Sequence, residues 1–460
     1  MEKEEINMFK KYAAVITAAA LALSAAACST QALAETTGTE KAAVSVVETT
    51  EAEKAAVSVA ETLAEETLTE ETPAAEEAES TDLFSERDLR QNVDLSEAVY
   101  YTAESNSTVT ITEAGIYVFS GTAENYSIIV EADDEAKVQL VLSDLSVENT
   151  NSPVIYVKNA DKTFVTTEEG TENTLSVTGS FTADGTTNTD AVIFSKDDLV
   201  LNGLGTLNIS STDNGITCKD DLKLTGGTLN ITCSADALEA NESILIADGV
   251  ITVRSGKDGL HAEYDEDNTV GSVYICGGTL NITASDDAIH ATTTCQVDGG
   301  DLILSAAEGI EATVVQLNGG NIDVTASDDG INAGQKSTAL SVAIEINGGE
   351  LTINMGQGDT DGIDSNGSLT INDGTISINA QSPFDADGAC SYNGGTIIVN
   401  GTVTNQIQNQ MMGGGMMGGP QGSMGGQKGA QGPASGNAGP GAQGGPGMSG
   451  PQGNFGGMRR

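Results

Sequence analysis

The chain has 460 residues, with 67 Asp and Glu against 19 Lys and Arg and a formal net charge of −48. That length holds two or three average domains or one large one, and that charge supplies no basic footprint for phosphates, which excludes a nucleic-acid-binding role. Trp is absent and aromatics are 4%, which excludes a large-aromatic core and a sugar platform built on tryptophan, whereas an acidic surface attracts cations and ligands bridged by cations.

Residues 1–28 read as an export signal. The apolar run 13–27, AAVITAAALALSAAA, follows Lys10 and Lys11 and is too short for a comfortable membrane span. The acidic lead MEKEE is unusual for such a signal and allows translation from Met8 instead. The run ends in Ala25-Ala26-Ala27-Cys28, which resembles a bacterial lipobox with Ala in place of Leu three residues before the Cys. On that reading Cys28 is lipidated and the lipid is the sole membrane contact. Ala32-Leu33-Ala34 offers the alternative of ordinary cleavage and free secretion. Either way the expected location is extracellular.

Residues 29–84 read as a disordered linker. Between Glu35 and Ser80 there are 13 Glu, 2 Lys and no aromatic, with a near-repeat of EKAAVSVVET (40–49) in EKAAVSVAET (53–62). Such a segment buries too little apolar surface to offset its ordering entropy. It is a stalk if Cys28 is lipidated and a solubilising spacer otherwise.

Residues 85–403 carry a repeat. One half is a Gly turn followed by alternating apolar residues, as in GGTLNITC (226–233), GGTLNITA (277–284), GGNIDVTA (319–326) and GGTIIVNG (394–401). The second Gly recurs at 205, 227, 249, 278, 300, 320, 349, 374 and 395, in steps of 22, 22, 29, 22, 20, 29, 25 and 21. The other half is an acidic turn entering an apolar pair: SADALEA (234–240), KDGLHA (257–262), DDAIHA (286–291), AEGIEA (307–312), DDGINA (328–333) and TDGIDS (360–365). Alternation of period two with Gly-Gly or Asp-Gly turns means short strands. Two or three strands per 20–29 residues without a helix fit the coil of a parallel β-helix, not a propeller blade or a leucine-rich repeat. The expected fold is all-β, one right-handed single-stranded parallel β-helix, monomeric. Residues 95–180 are less regular and form its first coils, shielding the open end of the core. Residues 404–460, rich in Gly, Met, Gln and Pro and without Asp or Glu, read as a disordered tail.

Several segments carry a family resemblance: ITEAGIYVFSG, VQLVLSDLSVEN, SPVIYVKNADKTFVTTEEGTENTL, ASDDGINA, QGDTDGIDSNGSLTINDGTISI and FDADGACSYNGGTIIVNG, spanning about 100–401. The chain resembles bacterial extracellular carbohydrate-binding β-helix proteins, a calcium-binding family with pectate-lyase-like topology. The resemblance implies binding of cellulose or acidic plant sugars such as polygalacturonate, without catalysis.

Stacked coils place equivalent residues in rows. The motif acids Asp236, Asp258, Asp287, Glu308, Asp329 and Asp361 form one such ladder. Carboxylates about 5 Å apart repel, and solvent exposure, a raised pKa or a bound cation relieves the repulsion. Asp286, Asp328, Asp359, Asp364 and Asp385 lie near them in sequence. Ca²⁺ takes six to eight hard oxygen ligands, so these acids are the candidate metal ligands and Ca²⁺ the expected cofactor. Asp before Gly also simply makes turns.

His261 and His290 share one motif position. A zinc site with Glu311 is conceivable, but the position varies along the row, and exposed polar neighbours in a ladder is the preferred reading. Cys218, Cys233, Cys276, Cys295 and Cys390 mostly replace small residues of sister repeats and read as small buried thiols, with a Cys218–Cys233 disulfide as an alternative. A polysaccharide lyase is the enzymatic alternative, with Arg254 or Lys257 beside Asp258 as the base. A structural surface adhesin is the third class.

Overall fold

The computed structural model describes residues 83–356 and 360–409. The signal, Cys28, all but the end of the linker, Asp359 and the chain after residue 409 lie outside the described residues.

The described elements are all β-strands, and the repeat unit is a coil of three. One coil runs through Asn214–Cys218, Asp221–Leu224 and Thr228–Thr232; the next runs through Leu238–Ala240, Ser243–Ile246 and Val250–Arg254. Each strand pairs in parallel with its equivalent: Ile216 with Leu238, Leu222 with Ile244 and Leu229 with Ile251. Repetition gives three parallel sheets. The first carries the acidic motif, the second follows it, and the third carries the strands after the Gly turns. This is the parallel β-helix expected from the repeat.

The core is the lumen enclosed by the three sheets. Alternation sends Ile231, Val253, Ile282, Leu304 and Val324 inward as one continuous row, all buried. Each buried aliphatic side chain contributes about 1.5–3 kcal/mol. A lumen fed by so few residues per coil has room for Ile, Leu and Val but not for indole. The row Ile310, Ile331, Ile363 ends in Phe384, whose larger ring fills the final coil. Beyond it, Thr402–Thr404 folds back antiparallel on Thr396–Val399. Asn409 then bonds both the N–H and the C=O of Ala386 through its side chain (2.9 and 2.8 Å), which blunts the open strand edge. These residues cap the solenoid, although 404–409 fall within the stretch that composition assigns to the tail.

The Gly turns are forced by close stacking. Gly349 has φ +82°, and a Cβ on it would meet the Gly320 carbonyl oxygen at 2.7 Å. In the earliest repeat this conformation belongs to Gly203 (φ +106°), not to Gly205 as the repeat alignment suggests. Just before these turns, Asn318, Asn347, Asn372 and Asn393 form a ladder in which each amide donates to the previous one at 2.7 Å. An amide is both donor and acceptor, so it stacks without the repulsion that a carboxylate ladder must relieve.

The two 29-residue steps correspond to insertions after the motif strands Leu260–Ala262 and Asp329–Ala333. The inserted segments, 263–271 and 334–342, reach along the first sheet and meet: Thr338 donates to Asn268 at 3.1 Å. They bracket two coils in which the motif strand runs on into the second sheet, Asp287–Val297 and Glu308–Leu317.

Residues 83–91 lie against the second sheet. Asp88 is 1% exposed and sits between Lys162 (3.7 Å) and Lys223 (3.6 Å), while its carbonyl accepts from Asn202 and Thr225. Arg87 covers the Phe164 ring at 4.4 Å. Asp88→Ala should lower unfolding stability by about 1–2 kcal/mol, because it removes the carboxylate shared by two largely buried ammonium groups, while Lys162 keeps Asp198 (3.1 Å) and Lys223 keeps the Leu83 carbonyl (2.7 Å). Urea denaturation monitored by circular dichroism measures it, and an unchanged midpoint would show that the segment is not structural.

Candidate functional site

The parallel register aligns the motif acids as one row. Asn214 precedes Asp236, Asp258, Asp287 and Glu308, and Asp329 pairs with Asp361, itself opposite Ser382. Part of this ladder relieves its repulsion by a device beyond the three expected. The backbone N–H of Asp236 donates to Asn214 Oδ1, that of Asp258 to Asp236 Oδ1, and that of Asp287 to Asp258 Oδ1, each at 2.9 Å. Asp361 N–H donates to Asp329 Oδ1 at 3.1 Å. These carboxylates extend the parallel ladder by accepting from the next coil.

Three residues on, a second row points outward: Thr217, Glu239, His261, His290, Glu311, Asn332, Asp364 and Asp385. The histidines differ from the expected exposed neighbours. His290 is buried, and the two rings stack at 4.8 Å between centroids with 12° between planes. His261 Nδ1 lies 2.6 Å from Asp258 Oδ2, and His290 Nδ1 lies 2.9 Å from both Asp287 Oδ2 and Glu311 Oε2. Burial alone would depress the His290 pKa, but these carboxylates outweigh it and raise it to about 10. Burial pushes the Asp258 carboxyl up, and the His261 bond and the Asp287 N–H more than reverse this, so it falls below the usual range.

The row is therefore electrostatically divided. Toward the N-terminus, protein cations neutralise it: Lys219 on Glu239 (2.7 Å), Lys257 on Asp236 (3.0 Å), His290 on Asp287 and Glu311, and Lys336 on Glu311 (2.6 Å). From Glu308 onward, among the described residues, no cation bridges Glu308, Asp329, Asp361, Asp364 or Asp385. Burial and neighbouring carboxylates push Glu308 up to about 8, Asp329 to about 6 and Asp364 to about 7. Asp361 Oδ1, Thr360 Oγ1 and Ser382 Oγ are buried without a hydrogen-bond partner. Orphaned oxygens amid unneutralised carboxylates fit a hard, oxygen-seeking cation.

Of the sequence candidates, Asp258, Asp286 and Asp287 bring carboxylate oxygens within 4.8 Å of one another. Asp286 and Asp328 are exposed at the turn. Asp329, Asp361, Asp364 and Asp385 are neighbours in register but form no such triple among the described residues. Two contributors lie outside the repeated motif, Glu263 and Lys336, both supplied by the insertions that the 29-residue steps mark. A third feature is the corner cluster Asp198, Asp220 and Asp221. Burial, then Asp198 and Glu242, push Asp220 up to about 7. Its signal was KDDLVL (196–201) echoed in KDDLKL (219–224).

The remaining candidates are unremarkable in place. Arg254 is exposed on the third sheet, away from the motif face. Cys218 and Cys233 are separate buried thiols, so the alternative disulfide does not form. Of the tyrosines that could offer a sugar a stacking face, Tyr274 donates to Asp298 and Tyr392 to the Gly395 carbonyl, and neither is fully exposed.

Fold and face together define an acidic β-solenoid whose motif sheet has cationic partners in one half and, among the described residues, none in the other. The family described as "Carbohydrate-binding domain-containing protein" matches residues 105–360 and 309–407, and the chain belongs to it. A protein of that description from Acetivibrio thermocellus is 43% identical over 204 residues, 44% of this chain and 71% of its own. A solved structure of a polysaccharide lyase-like protein from C. thermocellum, a gadolinium derivative, is 26% identical with a TM-score of 0.42. That match covers 57% of this chain and 98% of the other. The strand pairings above, not this likeness, establish the fold.

Proposed function

We propose that the chain is a non-catalytic, calcium-dependent binder of acidic polysaccharide, held outside the cell by a lipid on Cys28 or secreted. The observation that carries this reading is the unneutralised carboxylate run Glu308, Asp329, Asp361, Asp364 and Asp385 on the outer side of the motif sheet. These residues would hold Ca²⁺, which supplies positive charge to a face that otherwise repels a polyuronate. Membership of a carbohydrate-binding family supports the ligand class. Neutral cellulose is the weaker ligand, because stacking platforms are scarce: Tyr156 and Phe194, in the same outward row, are buried.

The absence of catalysis in this reading rests on the candidate bases. Burial would lower the Lys257 pKa, but its bond to Asp236 raises it, so the amine stays protonated and is a poor base. Arg254 lies on another sheet, away from the motif face.

Calorimetry with polygalacturonate should show binding in calcium that is lost in chelator, with weaker and calcium-insensitive binding to cellulose. Equal polygalacturonate affinity in chelator would refute the bridge, and release of unsaturated oligosaccharides would make the protein a lyase.

A further inference from the structure

The geometry points to a second metal site of different chemistry, in which His261, His290 and Glu263 bind a Zn²⁺-class ion. The two imidazoles are oriented alike. Each turns Nδ1 to the motif acid three residues before it, His261 to Asp258 at 2.6 Å and His290 to Asp287 at 2.9 Å. A carboxylate on Nδ1 holds a proton there and leaves Nε2 as the ligand nitrogen, the arrangement that orients histidines around zinc. Both Nε2 atoms face one carboxylate oxygen, Glu263 Oε2, at 3.4 Å from His261 and 3.5 Å from His290. Ligand bonds of about 2.0–2.1 Å in a tetrahedron place neighbouring ligand atoms about 3.3–3.4 Å apart. The Nε2–Glu263 separations match two edges of such a shell; the two Nε2 atoms of the stacked rings stand farther apart than the third, so binding requires the rings to tilt together at their Nε2 ends.

An independent observation concerns His290. Its side chain is only 9% exposed, and Nε2 is buried without a hydrogen-bond partner. A buried polar atom left unpaired is costly, and here it is aimed at the carboxylate that completes the set. The ion takes the place of a proton on Nε2, and that proton leaves to solvent. Glu263 is 40% exposed and His261 18%, so the ion has a route in and a solvent side for a fourth ligand, water.

Imidazole nitrogen suits zinc, copper and nickel, whereas calcium prefers oxygen alone. The site is thus separable from the carboxylate run beyond Glu308.

The test uses the full-length chain stripped of metal and titrated with Zn²⁺ by calorimetry, with Co²⁺ as spectroscopic probe. One equivalent should bind. His261→Gln and His290→Gln should each weaken it at least 100-fold and Glu263→Gln at least tenfold, while Asp364→Asn leaves it unchanged. Co²⁺ should give the visible bands of a tetrahedral nitrogen–oxygen site without a thiolate charge-transfer band. His261 and Glu263 are partly exposed, so their variants report on the site even where His290→Gln costs the fold. Zinc affinity unchanged in both His261→Gln and Glu263→Gln, or a cobalt spectrum dominated by thiolate, would overturn the assignment.

Discussion

In chelator, the melting temperature should fall as pH rises from about 5 to about 8, and calcium should remove the fall. Burial, followed by like charges, holds Glu308 near 8, Asp364 near 7 and Asp329 near 6, where unfolded carboxyls titrate near 4. The folded chain therefore binds more protons than the unfolded chain between about pH 4 and 8, so its stability declines across that window as the protons are lost. His290, raised to about 10, adds to the decline above its unfolded value near 6.5. Asp258 runs the other way: its pKa is lowered, so its contribution is lost only as pH falls through the acid range. An ion that binds only the folded state stabilises it by about 2.7 kcal/mol at a hundredfold excess over Kd, worth on the order of 5 °C in a chain of this size. Calcium at pH 8 should restore at least that. A melting temperature that rises with pH in chelator, or one indifferent to calcium at pH 8, would refute the account.

The paired variant Asp364→Asn with Asp385→Asn should act with opposite signs in the two conditions. The two residues are register partners on adjacent coils, and Asp385 is itself raised by burial and by Asp361 and Asp387. Without calcium, the substitution removes stacked like charges and raises stability at pH 8. With calcium, it removes hard oxygen ligands, cuts the calcium increment and weakens polygalacturonate binding at least tenfold, about 1.4 kcal/mol. Melting curves and calorimetry on the same preparations separate these effects. Unchanged polygalacturonate affinity in calcium would place the sugar on another face, and a loss of stability in chelator would mean that the carboxylates are structural acceptors like Asp258.

The coil itself was written in the sequence. GGTLNIT and its relatives alternate with period two between turn residues, and such signals are local: they depend on which side of a strand a residue faces, not on what it meets. Equal motif positions become one row in any parallel solenoid, so the alignment of His261, His290 and Glu311, and the ladder from Asp236 to Asp361, were legible before any coordinates. The sequence did not say what each polar atom would find. Asp258 spends one oxygen on the Asp287 amide and the other on His261, which depends on coil-to-coil spacing and rotamers. Glu263 and Lys336 come from insertions whose lengths mark their existence but not their direction. Asp88 finds Lys162 and Lys223 far along the chain, across a sheet that no local pattern places beside it. The repeat determined the scaffold and its rows, because translation along an axis copies a local rule. Only the tertiary structure decided which carboxylates found a cationic partner, because a motif position fixes the row but not which neighbouring side chain reaches it, and Lys336 comes from an insertion outside the repeat.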